Sequence, residues 1–345
     1  MCDYADVFIR RKPQMKSHRK KSYIFLIILM FLSLVQASAY AVEVRAADRQ
    51  PPAVTVSAAG TKAGFILYWN KRADVSGYEI QYSADKSFKN AKKLLITQKG
   101  ASSRTIKNLK ANKTYYVRMR TYVTSGSSRI YSRYSKAVSV ATASSGAYLY
   151  KEGFYCEKIP AAVKKRMMGK SYRTNSHIKL SDLRYVRVLY YDYNGKIKSG
   201  ELVVNRKIAK KTVKVFYELY QIKYPIQKMV LVDNYGGSDE KSMSANNTSA
   251  FNYRTISGSR SLSNHAYGMA IDLNPMVNPY VKNGRVSPAN GKLYKERNVS
   301  KCRGKYKKNM IHKNDKVYKI FKKYGFTWGG DWSSPKDYQH FEARS

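Results

Sequence analysis

Two short stretches near the C-terminus gather side chains that can hold a metal and move a proton: Ser263-Asn-His265-Ala-Tyr-Gly268-Met-Ala270-Ile-Asp272 and Asp337-Tyr-Gln-His340-Phe-Glu342. Only five histidines occur in the 345 residues, and two of them fall here. A zinc hydrolase needs about three nitrogen or oxygen ligands that leave one tetrahedral position for water. His265, Asp272 and His340 form such a set, enough for about one Zn2+ per chain. Gly268 and Ala270 are small enough to let the backbone pass from a loop into a buried strand that returns Asp272 to the same metal. Asp337 stands three residues before His340, so a turn can set its carboxylate beside the water as general base. Each histidine alone has a plainer reading, His265 as a polar loop residue and His340 as a hydrogen-bonded core residue. His18, His177 and His312 sit in polar surroundings and carry no expected role. A covalent mechanism lacks support, because Cys156 and Cys302 have no histidine nearby in sequence and no Gly-x-Ser-x-Gly occurs.

The elements that must position these residues follow from periodicity. Residues 159–168, 208–222 and 316–324 have helical spacing, the second with an apolar stripe of Val213, Phe216, Leu219 and Tyr220. Residues 183–193 and 201–204 read as strands joined around Asn194-Gly195, a strong hairpin signal. Further strands are expected over 229–233, 270–273 and 338–341. The mixture predicts an α+β domain with an antiparallel sheet over residues 151–345.

The stretch 154–342 resembles the zinc D-Ala-D-Ala carboxypeptidase family of cell-wall peptidases. The resemblance rests on Ser-x-His265-x6-Asp272, Trp328-Gly-Gly-Asp-Trp332, the terminal Asp337-x-x-His340-Phe-Glu, Asn246-Asn-Thr-Ser-Ala-Phe-Asn-Tyr-Arg254 and Asn278-Pro-Tyr280. It implies that His265, Asp272 and His340 are the zinc ligands, that Asp337 is the catalytic acid or base, and that Arg254 polarises the scissile carbonyl. A structural ion pair of Arg254 with Asp233 or Asp239 stands beside that role. Trp328 and Trp332 read as core and pocket wall. The base position carries Asp where many carboxypeptidase relatives carry Glu, and Asp after Trp-Gly-Gly-Asp-Trp also looks like the endopeptidase relatives. The implied activity is therefore D-Ala-D-Ala carboxypeptidase, with an L-Ala-D-Glu endopeptidase as the alternative on the same scaffold. A non-catalytic wall-binding or polyanion-binding protein is the alternative of another class.

Residues 50–143 show short period-two runs and no helical pattern. Strands are expected over 53–57, 65–69, 78–83, 92–97, 105–108, 115–122 and 135–141, with Tyr115, Val117 and Met119 on one face and Tyr116, Arg118 and Arg120 on the other. The run Leu109-Lys-Ala-Asn-Lys-Thr-Tyr115 and the early Trp69 resemble the fibronectin type III family, which implies an all-β sandwich. The chain is thus expected to be multidomain, with this module acting as a spacer, a polar linker over 144–150 and the peptidase-like domain after it.

Residues 10–21 carry seven Lys or Arg and precede an uncharged apolar run. Residues 1–49 read as an export segment, either a cleaved signal peptide or an uncleaved membrane anchor. An extracellular or cell-envelope location follows, with the membrane touched only through that segment. The formal charge is +43, and removing residues 1–49 still leaves +38. Such a field attracts polyanions. Export and the lack of any zinc-finger or RRM pattern argue against nucleic acid, so the expected partners are peptidoglycan stem peptides and anionic wall polymers. The three cysteines exclude a disulfide framework, with a Cys156–Cys302 pair left open.

Overall fold

The computed structural model describes Met30 and residues 50–343. The expected export segment lies outside the described residues but for Met30, and no helix among them is long and apolar enough to cross a membrane.

Eight strands build the first unit: β1 (Val56–Thr61), β2 (Gly64–Trp69), β3 (Gly77–Ser83), β4 (Lys92–Ile96), β5 (Ser103–Ile106), β6 (Thr114–Ser125), β7 (Ser128–Tyr131) and β8 (Val138–Ala141). They form two antiparallel sheets, β1-β2-β5 and β4-β3-β6-β7, with β8 pairing β6. Alternation along β6 places Tyr115, Val117 and Met119 in the core and leaves Tyr116, Arg118 and Arg120 half-exposed. Trp69, Tyr78 and Ile80 complete that core. The Tyr115 hydroxyl accepts from the Lys110 backbone N–H at 3.2 Å and ties the preceding turn to β6. This is the all-β sandwich expected of the segment. Strand β7, which the sequence pattern did not announce, closes a hairpin with β6 through Gly126.

The second unit is α+β. Strands β9 (Tyr148–Lys151), β10 (Phe154–Glu157), β11 (Leu183–Tyr191) and β12 (Ile197–Asn205) form an antiparallel sheet in the order β12-β11-β10-β9. The Asn194-Gly195 turn joins β11 to β12, with Gly195 at φ 69°. Strand β9 starts inside the segment expected as linker, and Ser144 N–H donates to Glu157 Oε2 at 2.7 Å. Helix α1 (Ala161–Met167) follows β10, and α2 (Arg206–Gln221) follows β12 with Asn205 as its N-cap. After α3 (Asp239–Ser244) come two small sheets. One joins β13 (Ala270–Asp272), β18 (His340–Ala343) and β16 (Phe326–Trp328), and the other joins β15 (Arg285–Ser287), β14 (Tyr280–Lys282) and β17 (Lys336–Asp337). Helix α4 (Lys316–Lys323) falls between β15 and β16 in sequence and stacks Phe321 on Phe341 of β18, ring centroids 3.8 Å apart.

Two sequence expectations are corrected. Residues 229–233 are not a strand, because the Asn247 side chain takes both Val230 backbone groups at 2.9 Å and Val232–Tyr235 coils into a 3-10 turn. The last strand starts at His340 and not at 338, since the chain leaves the β14 sheet at Asp337 before it enters β18. The two units also touch beyond any spacer. Ser57 Oγ donates to Ile197 O at 2.7 Å, and buried Ala59 joins the core of the second unit, against which Tyr68 also packs. Cys156 and Cys302 are both buried and free, so the open pairing is settled against a disulfide.

Candidate metal centre and active site

His265 is fixed by a single 3-10 turn, Asn264–Tyr267, whose N-cap Ser263 accepts from the His265 N–H at 3.3 Å. Gly268 ends that turn at φ 67°, and a Cβ there would meet Asn205 N at 2.7 Å. Glycine is therefore required on both conformational and steric grounds. The chain then enters β13, where Ile271 points to the core and Asp272 to the other face. Asp272 pairs directly with His340 of β18, and Ile271 with Phe341. Ile271 and Phe341 are fully buried, so the hydrophobic face of this short sheet holds the polar face in place.

Three atoms converge. His265 Nε2 lies 3.2 Å from Asp272 Oδ1, His340 Nδ1 lies 3.1 Å from the same oxygen, and the two ring nitrogens are 3.2 Å apart. A tetrahedral zinc site with bonds of about 2.0–2.1 Å has ligand-to-ligand edges of about 3.3 Å. The triangle has dimensions that could hold a metal ion, and all three residues are buried. The far side of each ring is also held. His265 Nδ1 faces the Ala250 carbonyl at 2.5 Å, an acceptor only, so the proton sits on Nδ1 and the Nε2 lone pair faces the cluster. His340 Nε2 faces Glu342 Oε2 at 3.1 Å, which fixes the ring with Nδ1 toward the cluster.

The field at the cluster favours positive charge. Burial alone lowers the His340 pKa, yet the Asp272 and Glu342 carboxylates outweigh it and hold the imidazole at about 10. Burial raises Asp272, but His265 and His340 pull it well below the usual carboxylate range. A bound cation meets the same demand.

Asp337 ends β17 close to this cluster. Its Oδ1 is buried with no hydrogen-bond partner, and burial, with the Asp272 charge adding to it, pushes its pKa up to about 6. Gly329 makes the close approach possible, because a Cβ there would meet Asp337 O at 2.6 Å and His340 Cβ at 3.3 Å. Trp332 lies with its ring 5.4 Å from that of His340, as a wall. Trp328 is core, with Nε1 donating to Tyr338 O at 2.9 Å.

Arg254 pairs with Asp239 of α3 and not with Asp233, whose Oδ1 accepts from Ser171 N–H. Asn252 steadies Asp239 from the other side at 2.7 Å. Burial lowers the Arg254 pKa, partly opposed by the charges of Asp272 and Asp337, so the guanidinium also feels the cluster. The other asparagines of the Asn246 motif are scaffold. Asn246 and Asn247 are fully buried and satisfy loop backbone, as does Asn278. His177 and His312 lie elsewhere, bonded to Tyr253 and to the Arg297 carbonyl. The positioning roles of Glu342, Asn264 and the Ala250 carbonyl were not read from the sequence. Glu342 had one available signal, its place two residues after His340 on the same strand face.

Residues 257–343 match the family described as D-alanyl-D-alanine carboxypeptidase, a stretch that contains His265, Asp272, Asp337, His340 and Glu342. Residues 49–138 match the fibronectin type III domain family. No curated protein matches the chain. Among solved structures, the chain is similar to the chicken CNTN1 FN1-FN3 domains at 20% identity, over 27% of this chain and 31% of that one, with a TM-score of 0.24. It is also similar to the fn3 domain of the human collagen alpha-1(XX) chain at 16% identity, over 30% and 96% of the two chains, with a TM-score of 0.25. A third is a beta-1,2-glucanase from Parabacteroides distasonis at 17% identity, over 27% and 13%, with a TM-score of 0.23.

Proposed function

We propose that the chain is a zinc-dependent peptidase of the cell envelope that hydrolyses a peptide bond in the stem peptide of peptidoglycan, of the D-Ala-D-Ala carboxypeptidase type. One observation carries the reading: a buried His265–Asp272–His340 triangle with cation-site edges, next to a carboxylate with an unsatisfied buried oxygen. Zinc held by those three residues would activate water and polarise the scissile carbonyl. Asp337, whose Oδ1 has no protein partner, accepts the proton of the attacking water and returns it to the leaving amine. Arg254, steadied by Asp239 and close enough to feel the charges of Asp272 and Asp337, is the cation that would stabilise the developing oxyanion. Burial of His265, Asp272 and His340, with the Trp332 ring beside His340 as a wall, keeps bulk water from weakening these charges.

Mass spectrometry of muropeptides after digestion tests the proposal. Loss of one terminal D-Ala is the expected result. Release of the peptide from its sugar-linked L-Ala would assign the L-Ala-D-Glu endopeptidase reaction, to which the Asp at the base position also points. Unchanged masses with zinc-loaded protein would leave a binding protein and overturn the proposal.

A further inference from the structure

We infer that the outer face of α2 and α4 forms a docking groove for a linear polyphosphate chain, placed so that a docked polymer leaves the His265–Asp272–His340 cluster free. The inference goes beyond the peptidase reading and does not depend on it.

Helix α2 buries Ile208, Val213, Phe216 and Leu219 and turns the opposite face outward. That face carries exposed Lys210 and Lys211 and half-buried Lys214. Between it and the end of α4 runs a groove of about 420 Å³, lined by Lys210, Lys211, Lys214, Lys323, Tyr324 and Gly325. Lys323 is neutralised by Glu218 at 2.7 Å. Lys210, Lys211 and Lys214 have no ion-pair partner among the described residues, and Lys210 and Lys214 lie over the rings of Tyr148 and Tyr150 instead. Like charges spaced three and four apart on a helix repel one another. An anionic partner in the groove relieves that repulsion.

The chemistry of the lining selects the partner. No arginine lines the groove, so no planar fork demands a fixed phosphate geometry, and lysines act as mobile point charges. A flexible chain of phosphates can follow this shallow, open groove and set successive charges against successive lysines. Orientation supports the same partner. Phe321 of α4 stacks on Phe341, which lies on the core face of the β13-β18-β16 sheet, while Asp272 and His340 project from the other face. The helices therefore stand between the groove and the metal cluster.

Binding of the full-length chain to linear inorganic polyphosphate, measured across a salt series, tests the inference against simple attraction to net charge. A triple Lys210→Gln, Lys211→Gln, Lys214→Gln variant should weaken binding about tenfold or more and reduce the salt slope by about two. Its hydrolysis of soluble stem peptide should not change. A triple Lys86→Gln, Lys89→Gln, Lys92→Gln variant on the sandwich removes the same charge from exposed positions and should shift binding by about twofold at most. Arginine at the three groove positions should restore binding. Equal weakening by both glutamine triples would overturn the groove in favour of diffuse attraction. A groove triple that keeps polyphosphate binding but loses binding to phosphatidylglycerol vesicles or duplex DNA would overturn the choice of partner.

Discussion

Asp272 and His340 are direct cross-strand partners, and their Oδ1 and Nδ1 atoms lie 3.1 Å apart. Two atoms able to ligate a metal thus sit on one face of a short sheet whose other face is anchored by Ile271 and Phe341. The donor geometry is set by sheet register before any cation arrives, so little reorganisation accompanies binding. His265 supplies the third corner from its capped turn. His340→Ala should reduce zinc content from about one equivalent to a small fraction in elemental analysis, with the far-ultraviolet spectrum unchanged. Full loading of that variant would mean that the ligands lie elsewhere.

Glu342 acts through His340. Its carboxylate accepts from His340 Nε2 at 3.1 Å and also takes the Asn264 amide at 2.5 Å. Outer partners of this kind are worth about 10- to 100-fold in metal affinity. Glu342→Ala should weaken zinc binding by that amount, and Glu342→Gln by less, because the amide oxygen still accepts the same hydrogen bond. With zinc at saturation both variants should keep most of kcat. A large kcat loss in fully loaded Glu342→Gln would instead make Glu342 the base.

Asp337 presents the opposite pattern, a carboxylate beside the cluster that belongs to a different sheet from the ligands. Asp337→Asn should retain zinc while kcat falls by about 10² to 10⁴. Near-normal turnover would exclude Asp337 as the proton acceptor.

The convergence of His265, Asp272 and His340 was legible because rare residue types stand in two dense motifs, and the three do meet. The role of Glu342 was not, since it depends on strand parity around a residue already assigned. The sequence offered Asp233 and Asp239 alike as ion-pair partners of Arg254, and only the fold decides for Asp239. Residues 229–233 have strand composition, yet the side chain of Asn247 replaces the neighbouring strand. The switch of sheets between Asp337 and His340 left no periodic trace, because each strand there is only two to four residues long.

Acid should weaken the fold through Glu201. Its carboxylate accepts from Arg166 at 2.6 and 2.8 Å and from the Tyr185 hydroxyl at 2.6 Å. Burial raises its pKa, but Arg166, Arg187 and Tyr185 outweigh burial and lower it. A depressed folded pKa contributes stability that is fully present above the unfolded value of about 4.3 and is lost as pH falls through the folded value. Glu201→Gln should cost about 3–5 kcal/mol at neutral pH, because Arg187 then loses its buried counter-charge. Its melting temperature should also depend less on pH below about 5 than that of the parent. Equal acid sensitivity of both proteins would remove Glu201 from the account.

The β11–β12 hairpin separates the sandwich from the chemistry. At one end Ile197 O accepts from Ser57, and at the other Asn205 N–H donates to Gly268 O at 2.8 Å beside the His265 turn. Nine residues of β12 place these ends about 27 Å apart. The sandwich therefore braces the sheet without reaching the metal cluster. Removing residues 50–143 exposes the surface that Ala59 and Tyr68 cover, and the melting temperature should fall by about 2–4 °C for each 1 kcal/mol lost. Below that temperature, kcat/KM on a short soluble stem peptide should stay within about threefold of the parent, the twofold-to-threefold scatter expected for a site without new contacts. If activity disappears while zinc content and circular dichroism match the parent, the sandwich shapes the substrate site, and the hairpin carries more than mechanical support.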